Sequence, residues 1–275
     1  MGPFQAVILG IIQGLTEFLP VSSSGHLVLL QNLFGLQEPQ LLFDISLHVG
    51  TLIAVCVVFF NELRAIFLML IRLPELIRAS GGLKPVFADN EEFRMAALIV
   101  IGSIPTAILG FMFHRFADYI FGAIWIVGLM LIVTGILLWF TRRLPLEGRL
   151  LPQVSSKDAF VIGLVQGVAI MPGISRSGST ISVALFLGVS RELAGRYSFL
   201  LSIPAILGAL LLDFGSSLHQ TSISGTTILL GTATAGIVGF AALKLLLRIV
   251  KQGQLYCFAP YCWFIGATAL IWNLL

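Results

Sequence analysis

Six stretches of this chain, at 44–61, 95–113, 121–140, 197–213, 226–247 and 256–274, stay apolar for long enough to cross a bilayer. A spanning helix needs about 20 mostly apolar residues, whereas membrane-barrel strands alternate polar and apolar over about ten. The runs here are continuous, so the chain reads as an all-α integral membrane protein. Composition agrees: 57% of the 275 residues are hydrophobic and only 11% are charged. A water-soluble domain could not cover that much apolar surface. The modest net charge of +3 gives no sign of a nucleic-acid partner. No cleavable signal peptide is expected, because Met1-Gly2-Pro3 places no basic segment before the first apolar run. Cys56, Cys257 and Cys262 lie in apolar segments without metal-ligand spacing and read as small packing residues.

Four shorter apolar segments come as two pairs, 4–19 with 22–35 and 159–171 with 176–189. Each pair is interrupted at Pro20-Val21-Ser22 or Pro172-Gly173-Ile174, where a continuous helix would lose backbone hydrogen bonds. Such pairs predict re-entrant hairpins that enter the membrane and return, a form tolerated where protein or a wet cavity shields the irregular backbone. The order then repeats, a hairpin and three spans over residues 1–141 and again over 159–275, within a single membrane domain covering 1–275. Landmarks recur in step, with Gly25 ahead of Gly50 in HVGTLIAV and Gly178 ahead of Pro204 in SIPAILGA. Three spans per half is an odd number, so the second half is expected to be inverted relative to the first, an architecture with broken helices meeting near the midplane. The basic residues fit that topology. Of 16 lysines and arginines, all but Arg115 and Arg176 fall on one side, which the positive-inside rule makes cytoplasmic.

Each hairpin carries a polar motif, QGLTEFLPVSSSGH at 13–26 and QGVAIMPGISRSGST at 166–180. Ionisable side chains at membrane depth are costly and usually mark a site or a pathway. In the first motif Gln13 and Glu17 share a helix face, and Pro20 ends that helix. Ser22, Ser23 and Ser24 can cap the next helix, with Gly25 allowing close backbone approach and His26 one turn on from Ser23. A helix start offers free N–H groups and a positive dipole end, which suits an anion such as phosphate. A lone serine here would more often only cap its helix; a glutamate and a histidine beside it ask for more. In the second motif Ser175 can cap a helix bearing Arg176, Ser177, Gly178, Ser179 and Thr180. The planar donor fork of an arginine matches phosphate oxygens, although Arg176 could also serve as a structural partner of Glu17. Asp44 and His48, one turn apart at the start of the first span, could rim the site or end a solvated helix. His114, Arg115 and Asp118 read as a surface loop, Asp158, Asp213 and His219 as interfacial, and Trp125, Trp139, Trp263 and Trp272 as packing or interfacial residues.

The two motifs resemble the paired signatures of bacterial undecaprenyl-pyrophosphate phosphatases of the bacitracin-resistance type. The likeness covers nearly the whole chain, including HVGTLIAV and SIPAILGA. It implies hydrolysis of a C55 isoprenyl pyrophosphate to the monophosphate carrier lipid of cell-wall synthesis, in the bacterial cytoplasmic (inner) membrane, with the active site opening to the periplasm. It assigns catalysis to Glu17, Ser23, His26 and Arg176. Gln13, Ser22, Ser24, Gly25, Ser175, Ser177, Gly178 and Thr180 are expected to bind substrate. Either Ser23 or His26 would attack the terminal phosphorus, and a position at a helix start favours Ser23 with His26 assisting. Gln13 stands where the family accepts Glu or Gln, which weakens any metal scheme needing paired carboxylates. A divalent cation, Mg²⁺ or Ca²⁺, could still bridge the pyrophosphate oxygens, and no organic cofactor is expected. Self-association as a homodimer stays open. The competing reading is a lipid or small-anion transporter or flippase, since inverted repeats and broken helices also build transporters.

Overall fold

The computed structural model describes residues 2–34, 41–114, 124–217 and 223–272. Among these residues the chain is all helix, with no strand. Its helices are α1 (Pro3–Phe18), α2 (Ser23–Leu33), α3 (Leu41–Val58), α4 (Phe60–Ser80), α5 (Leu83–Asp89), α6 (Glu91–His114), α7 (Ile124–Phe140), α8 (Ser156–Val168), α9 (Arg176–Phe186), α10 (Arg191–Ser217), α11 (Gly225–Lys251) and α12 (Ala259–Trp272). Among the described residues five helical segments are long and apolar enough to cross a membrane: Glu91–Phe113, Ile124–Arg143, Arg191–Leu212, Gly225–Lys251 and Leu255–Trp272. A sixth arises if Leu42–Val58 and Phe60–Ser80, bent by 77° at their junction, count as one broken span. The side chains of His114 and Asp213, and all of Arg115, Asp118 and His219, lie outside the described residues.

Each expected break falls between two short helices. α1 starts with Pro3 at its first position and stops at Phe18, two residues before Pro20. α2 begins at Ser23, directly after Ser22, whose φ of 69° makes it the one non-glycine residue with positive φ among the described residues. In the second pair, Ser155 caps α8 through a reciprocal box. Its hydroxyl accepts from Asp158 N at 3.2 Å, and Asp158 accepts from Ser155 N at 2.8 Å. Here the positive φ falls on Gly173, at 93°, where it carries no side-chain penalty. Ser175 then caps α9 by accepting from Gly178 N at 3.1 Å.

The segment 62–94, expected as a basic loop between the spans at 44–61 and 95–113, is largely helical. Leu63, Ile66 and Met69 recur at helical spacing on one face of α4 and are drawn inward, and α4 ends at Gly81 in the left-handed conformation. Pro74 sits inside α4 without ending it.

α1 packs along α11, and α11 along α3; α8 packs along α6; α7 pairs with α12; and α10 touches both α3 and α6. Small residues allow these close approaches. A Cβ on Gly10 of α1 would lie 2.6 Å from Gly231 O, and one on Gly14 would lie 2.9 Å from Val238 Cβ. On α8, a Cβ on Gly163 would collide with Gly102 O, and one on Gly167 would lie 2.9 Å from Leu109 Cβ. Between α7 and α12, added Cβ atoms on Gly128 and Gly266 would each meet the carbonyl oxygen of the other glycine, at 2.9 and 2.7 Å. Phe199 meets Phe18 edge-on and stacks against Phe59 within the larger apolar core, which draws on both hairpins.

Candidate active site

The tips of the two hairpins touch. Gly173 N donates to Ser22 Oγ at 3.1 Å, and Ser177 Oγ donates to Phe18 O at 2.9 Å. A Cβ on Gly25 would sit 3.4 Å from Gly173 Cα, and one on Gly178 would sit 2.9 Å from Pro20. Ser22 Oγ also accepts from Gly25 N at 3.3 Å and lies 3.3 Å from Ser24 Oγ. Thr134 of α7 braces the second tip. Its hydroxyl donates to Gly173 O and accepts from Ser175 N, both at 3.1 Å.

Glu17, at the end of α1, is the hub. Its Oε1 accepts from Arg176 Nη2 at 2.6 Å, across the interface between the hairpins. Its Oε2 accepts from Ser23 Oγ at 2.6 Å and from Gln13 Nε2, one helical turn back, at 3.1 Å. The carboxylate is 7% exposed, and a buried charge of this kind is tolerable only when paired and hydrogen-bonded. Charge-assisted bonds to Arg176 supply that compensation. Yet the pairing uses only one end of the guanidinium. Arg176 Nη1 is buried and has no partner among the described residues. An orphaned donor on a buried cation is expensive, and it marks where an acceptor of the opposite charge would be stabilised.

His26 is adjacent but faces another way. Its Nδ1 lies 2.8 Å from Ser22 O, and its Nε2 lies 2.8 Å from the hydroxyl of Tyr261 on α12. A carbonyl oxygen only accepts, so Nδ1 carries the hydrogen and Tyr261 donates to Nε2. The two rings are near-parallel, 5° apart in tilt with centroids at 5.7 Å. Ser23 donates its hydrogen to Glu17, and both ring nitrogens of His26 are taken by other partners.

Gln13, Glu17, Ser23 and Arg176 thus meet directly. Ser22, Ser24, Gly25, Ser175, Ser177 and Gly178 form the joined tips that hold them. Thr180 is turned aside: its hydroxyl donates to Arg176 O at 2.8 Å and pairs with Ser198 of α10, so it faces no open ground at the tips. Of the rim candidates, His48 comes within 3.7 Å of Glu17 Oε2, and Asp44 accepts from Gln31 Nε2 at 2.7 Å. Tyr261 had no signal in the sequence, being one tyrosine in a long apolar span. Among the described residues, no group of three or more His, Cys, Asp or Glu gathers as a ligand set for a metal. Cys262 is buried with its Sγ 3.5 Å from Pro20 O, beneath the first tip.

The bacitracin resistance protein BacA family matches this chain over residues 6–268. The chain belongs to that family. It is 51% identical over 273 residues to an undecaprenyl-diphosphatase of Desulfatibacillum aliphaticivorans, covering 98% of each chain. It is 52% identical over 268 residues to one of Desulforapulum autotrophicum, covering 98% of this chain and 97% of the relative. An undecaprenyl-diphosphatase of Carboxydothermus hydrogenoformans is 42% identical over 275 residues. In this BacA-family chain the residues that meet at the joined tips, from Gln13 to Tyr261, lie inside the matched region.

Proposed function

We propose that this chain is a membrane phosphatase that hydrolyses undecaprenyl pyrophosphate to undecaprenyl phosphate and inorganic phosphate, returning the carrier lipid to cell-wall synthesis. Full-length similarity to named undecaprenyl-diphosphatases supports the substrate. The observation that carries the chemistry is Arg176, which grips Glu17 with one terminal nitrogen and holds the other buried and unpartnered.

In this reading the terminal phosphate enters beside Arg176 Nη1. It draws the guanidinium toward its own oxygens, and Glu17 loses part of its strongest stabilising partner. The carboxylate becomes more basic just as Ser23 needs a base, and the hydrogen bond for that transfer already exists at 2.6 Å. Ser23 Oγ attacks the terminal phosphorus, and the lipid monophosphate leaves. Arg176 and the N–H groups at the start of α2 stabilise the charge on the equatorial oxygens. Water activated by Glu17 then releases the phosphate from Ser23. His26, held by Ser22 and Tyr261, sits one turn from the serine and contributes a hydrogen bond to substrate when Tyr261 yields.

A divalent cation would neutralise pyrophosphate charge. Glu17 is the one carboxylate at the tips, and both its oxygens are occupied by donors. The described residues gather no ligand set for such an ion, so it would ride on the substrate's oxygens.

We further propose two inverted repeats, 1–141 and 159–275, forming one membrane domain with re-entrant hairpins. The reading is supported by the exchange of helix partners: α1 lies on α11 as α8 lies on α6, while α7 and α12 face each other. The glycine contacts exchange in the same way, Gly10 with Gly163 and Gly14 with Gly167. The continuous apolar helices support placement in the inner membrane, and the distribution of lysine and arginine supports an orientation with the site open to the periplasm.

The test is direct. The purified protein in detergent or proteoliposomes, given undecaprenyl pyrophosphate, should release phosphate at a rate that saturates with substrate. Protein that binds or moves the lipid without releasing phosphate would contradict the proposal.

A further inference from the structure

His48 stands on α3, outside both hairpins, with Nε2 3.7 Å from Glu17 Oε2. Its Nδ1 lies 2.8 Å from the carbonyl oxygen of Asp44, one turn earlier. That oxygen only accepts, so Nδ1 carries the hydrogen. In a neutral ring Nε2 then presents a lone pair to a carboxylate oxygen, which also only accepts. The gap is also shorter than the span of a normally bridging water, about 4.5 Å from two ordinary hydrogen bonds. The contact is favourable only with a proton between the two atoms, as imidazolium against carboxylate.

The same Oε2 receives the Ser23 hydroxyl at 2.6 Å. Ser23 Oγ, Glu17 Oε2 and His48 Nε2 therefore lie in series, and the last gap, 3.7 Å, has only to shorten to hydrogen-bond length for one proton to pass. Its outer end is the more open one: the His48 side chain is 33% exposed against 7% for Glu17. Few other charges compete. Asp44 lies on the same helix, held by Gln31, and Arg176 occupies the far oxygen of Glu17. α10 has no ionisable side chain between Phe199 and Leu212, and α11 has none between Gly225 and Leu243. His26 of α2 is committed to Ser22 and Tyr261.

We propose that His48 is a positioning residue that acts through Glu17, accepting the proton that Ser23 loses and releasing it to solvent. The proposal rests on the phosphatase reading and on Ser23 as nucleophile. Bond by bond, the Oγ–P bond forms as the bridging P–O bond breaks, and that electron pair departs with the lipid monophosphate. The serine proton crosses Glu17 Oε2 to His48 Nε2. Water then bonds to phosphorus and the Oγ–P bond breaks. One water proton returns through Glu17 to Ser23 Oγ, and the proton on His48 leaves. One water is consumed and one proton is released per turnover, as hydrolysis of a pyrophosphate requires.

The experiment is the pH dependence of phosphate release by wild type, His48→Gln and His48→Ala on polyprenyl pyrophosphate. Gln keeps a donor facing Glu17 but cannot take a proton. For His48→Gln, kcat should fall about 10- to 100-fold with KM within about twofold, and the acid limb that wild type owes to a protonated His48 should disappear. In His48→Ala, added imidazole should restore at least about tenfold of the lost rate. A His48→Gln profile matching wild type in rate and shape would overturn the relay. So would a slower enzyme that keeps the same acid limb, or a folded His48→Ala variant that imidazole does not rescue. Wild-type protein that releases no phosphate would instead overturn the phosphatase reading itself.

Discussion

The two hairpins share one construction and divide the chemistry unequally. Gln13 and Gln166 open the motifs, both buried and both with a side-chain oxygen lacking a partner among the described residues. Ser22 and Ser175 cap the second helices in the same way, each accepting from the glycine three residues on. Position by position the rest diverges. Where the first motif has Glu17, the second has Ile170; where the first has Ser23, the second has Arg176; where the first has His26, the second has Ser179. The hydroxyl of Ser179 is buried with no partner among the described residues, whereas His26 uses both ring nitrogens. The joined tips bring two helix starts together, one carrying a carboxylate, a hydroxyl and an imidazole and the other a guanidinium.

The strain is distributed unequally too. The second tip puts its left-handed residue on Gly173, but the first puts it on Ser22, with φ of 69°. A side chain in that region costs about 1–2 kcal/mol. Ser22 repays it by accepting from both Gly25 N and Gly173 N, a role that glycine could not fill.

The largest expected effect lies on the nucleophile side. Ser23→Ala should lower phosphate release by more than about 10⁴-fold and abolish any phospho-enzyme trapped by acid quench. On the cation side, Arg176→Ala should cost about 10³-fold. Arg176→Lys should recover little of it, because an ammonium cannot hold Glu17 and a phosphate oxygen on two separate nitrogens. Tyr261→Phe, which frees His26 Nε2 while keeping the ring, should change kcat by about tenfold or less. A loss as large as that of Ser23→Ala would make Tyr261 and His26 the reacting pair and shift the chemistry away from Glu17. The smallest effects concern the caps and are read by thermal unfolding in detergent. Ser175→Ala should cost about 1 kcal/mol, and Ser22→Ala about 1–3 kcal/mol because two amides lose their acceptor. Ser22→Gly should cost less than Ser22→Ala, since it relieves the positive φ. Equal losses for Ser22→Ala and Ser22→Gly would show that the backbone there is not strained.

Much of this was legible in the sequence because membrane helices announce themselves by length and continuity. The spans expected at 95–113, 121–140, 197–213 and 226–247 coincide with α6, α7, α10 and α11, and the breaks at Pro20 and Pro172-Gly173 fall between short helices. The segment 62–94 was misleading because Arg64, Arg72 and Arg78 interrupt an apolar face that still recurs at helical spacing in α4. Within the tips, Gln13 and Glu17 are one turn apart, so their contact is local and readable. The partner of Ser23 was not, because Glu17 and His26 lie on opposite sides of a turn whose geometry depends on the positive φ of Ser22. The contact of His26 with Tyr261 depends on how α12 packs against the first hairpin, and no local pattern encodes that.

The central claim is that Glu17 of one hairpin and Arg176 of the other act as a single unit. A double-mutant cycle on phosphate release, with Glu17→Gln, Arg176→Gln and the two combined, tests it most directly. The account predicts strong non-additivity, the double variant being within about threefold of the slower single variant. Rate losses that simply multiply in the double variant would contradict it and return the two hairpins to separate roles.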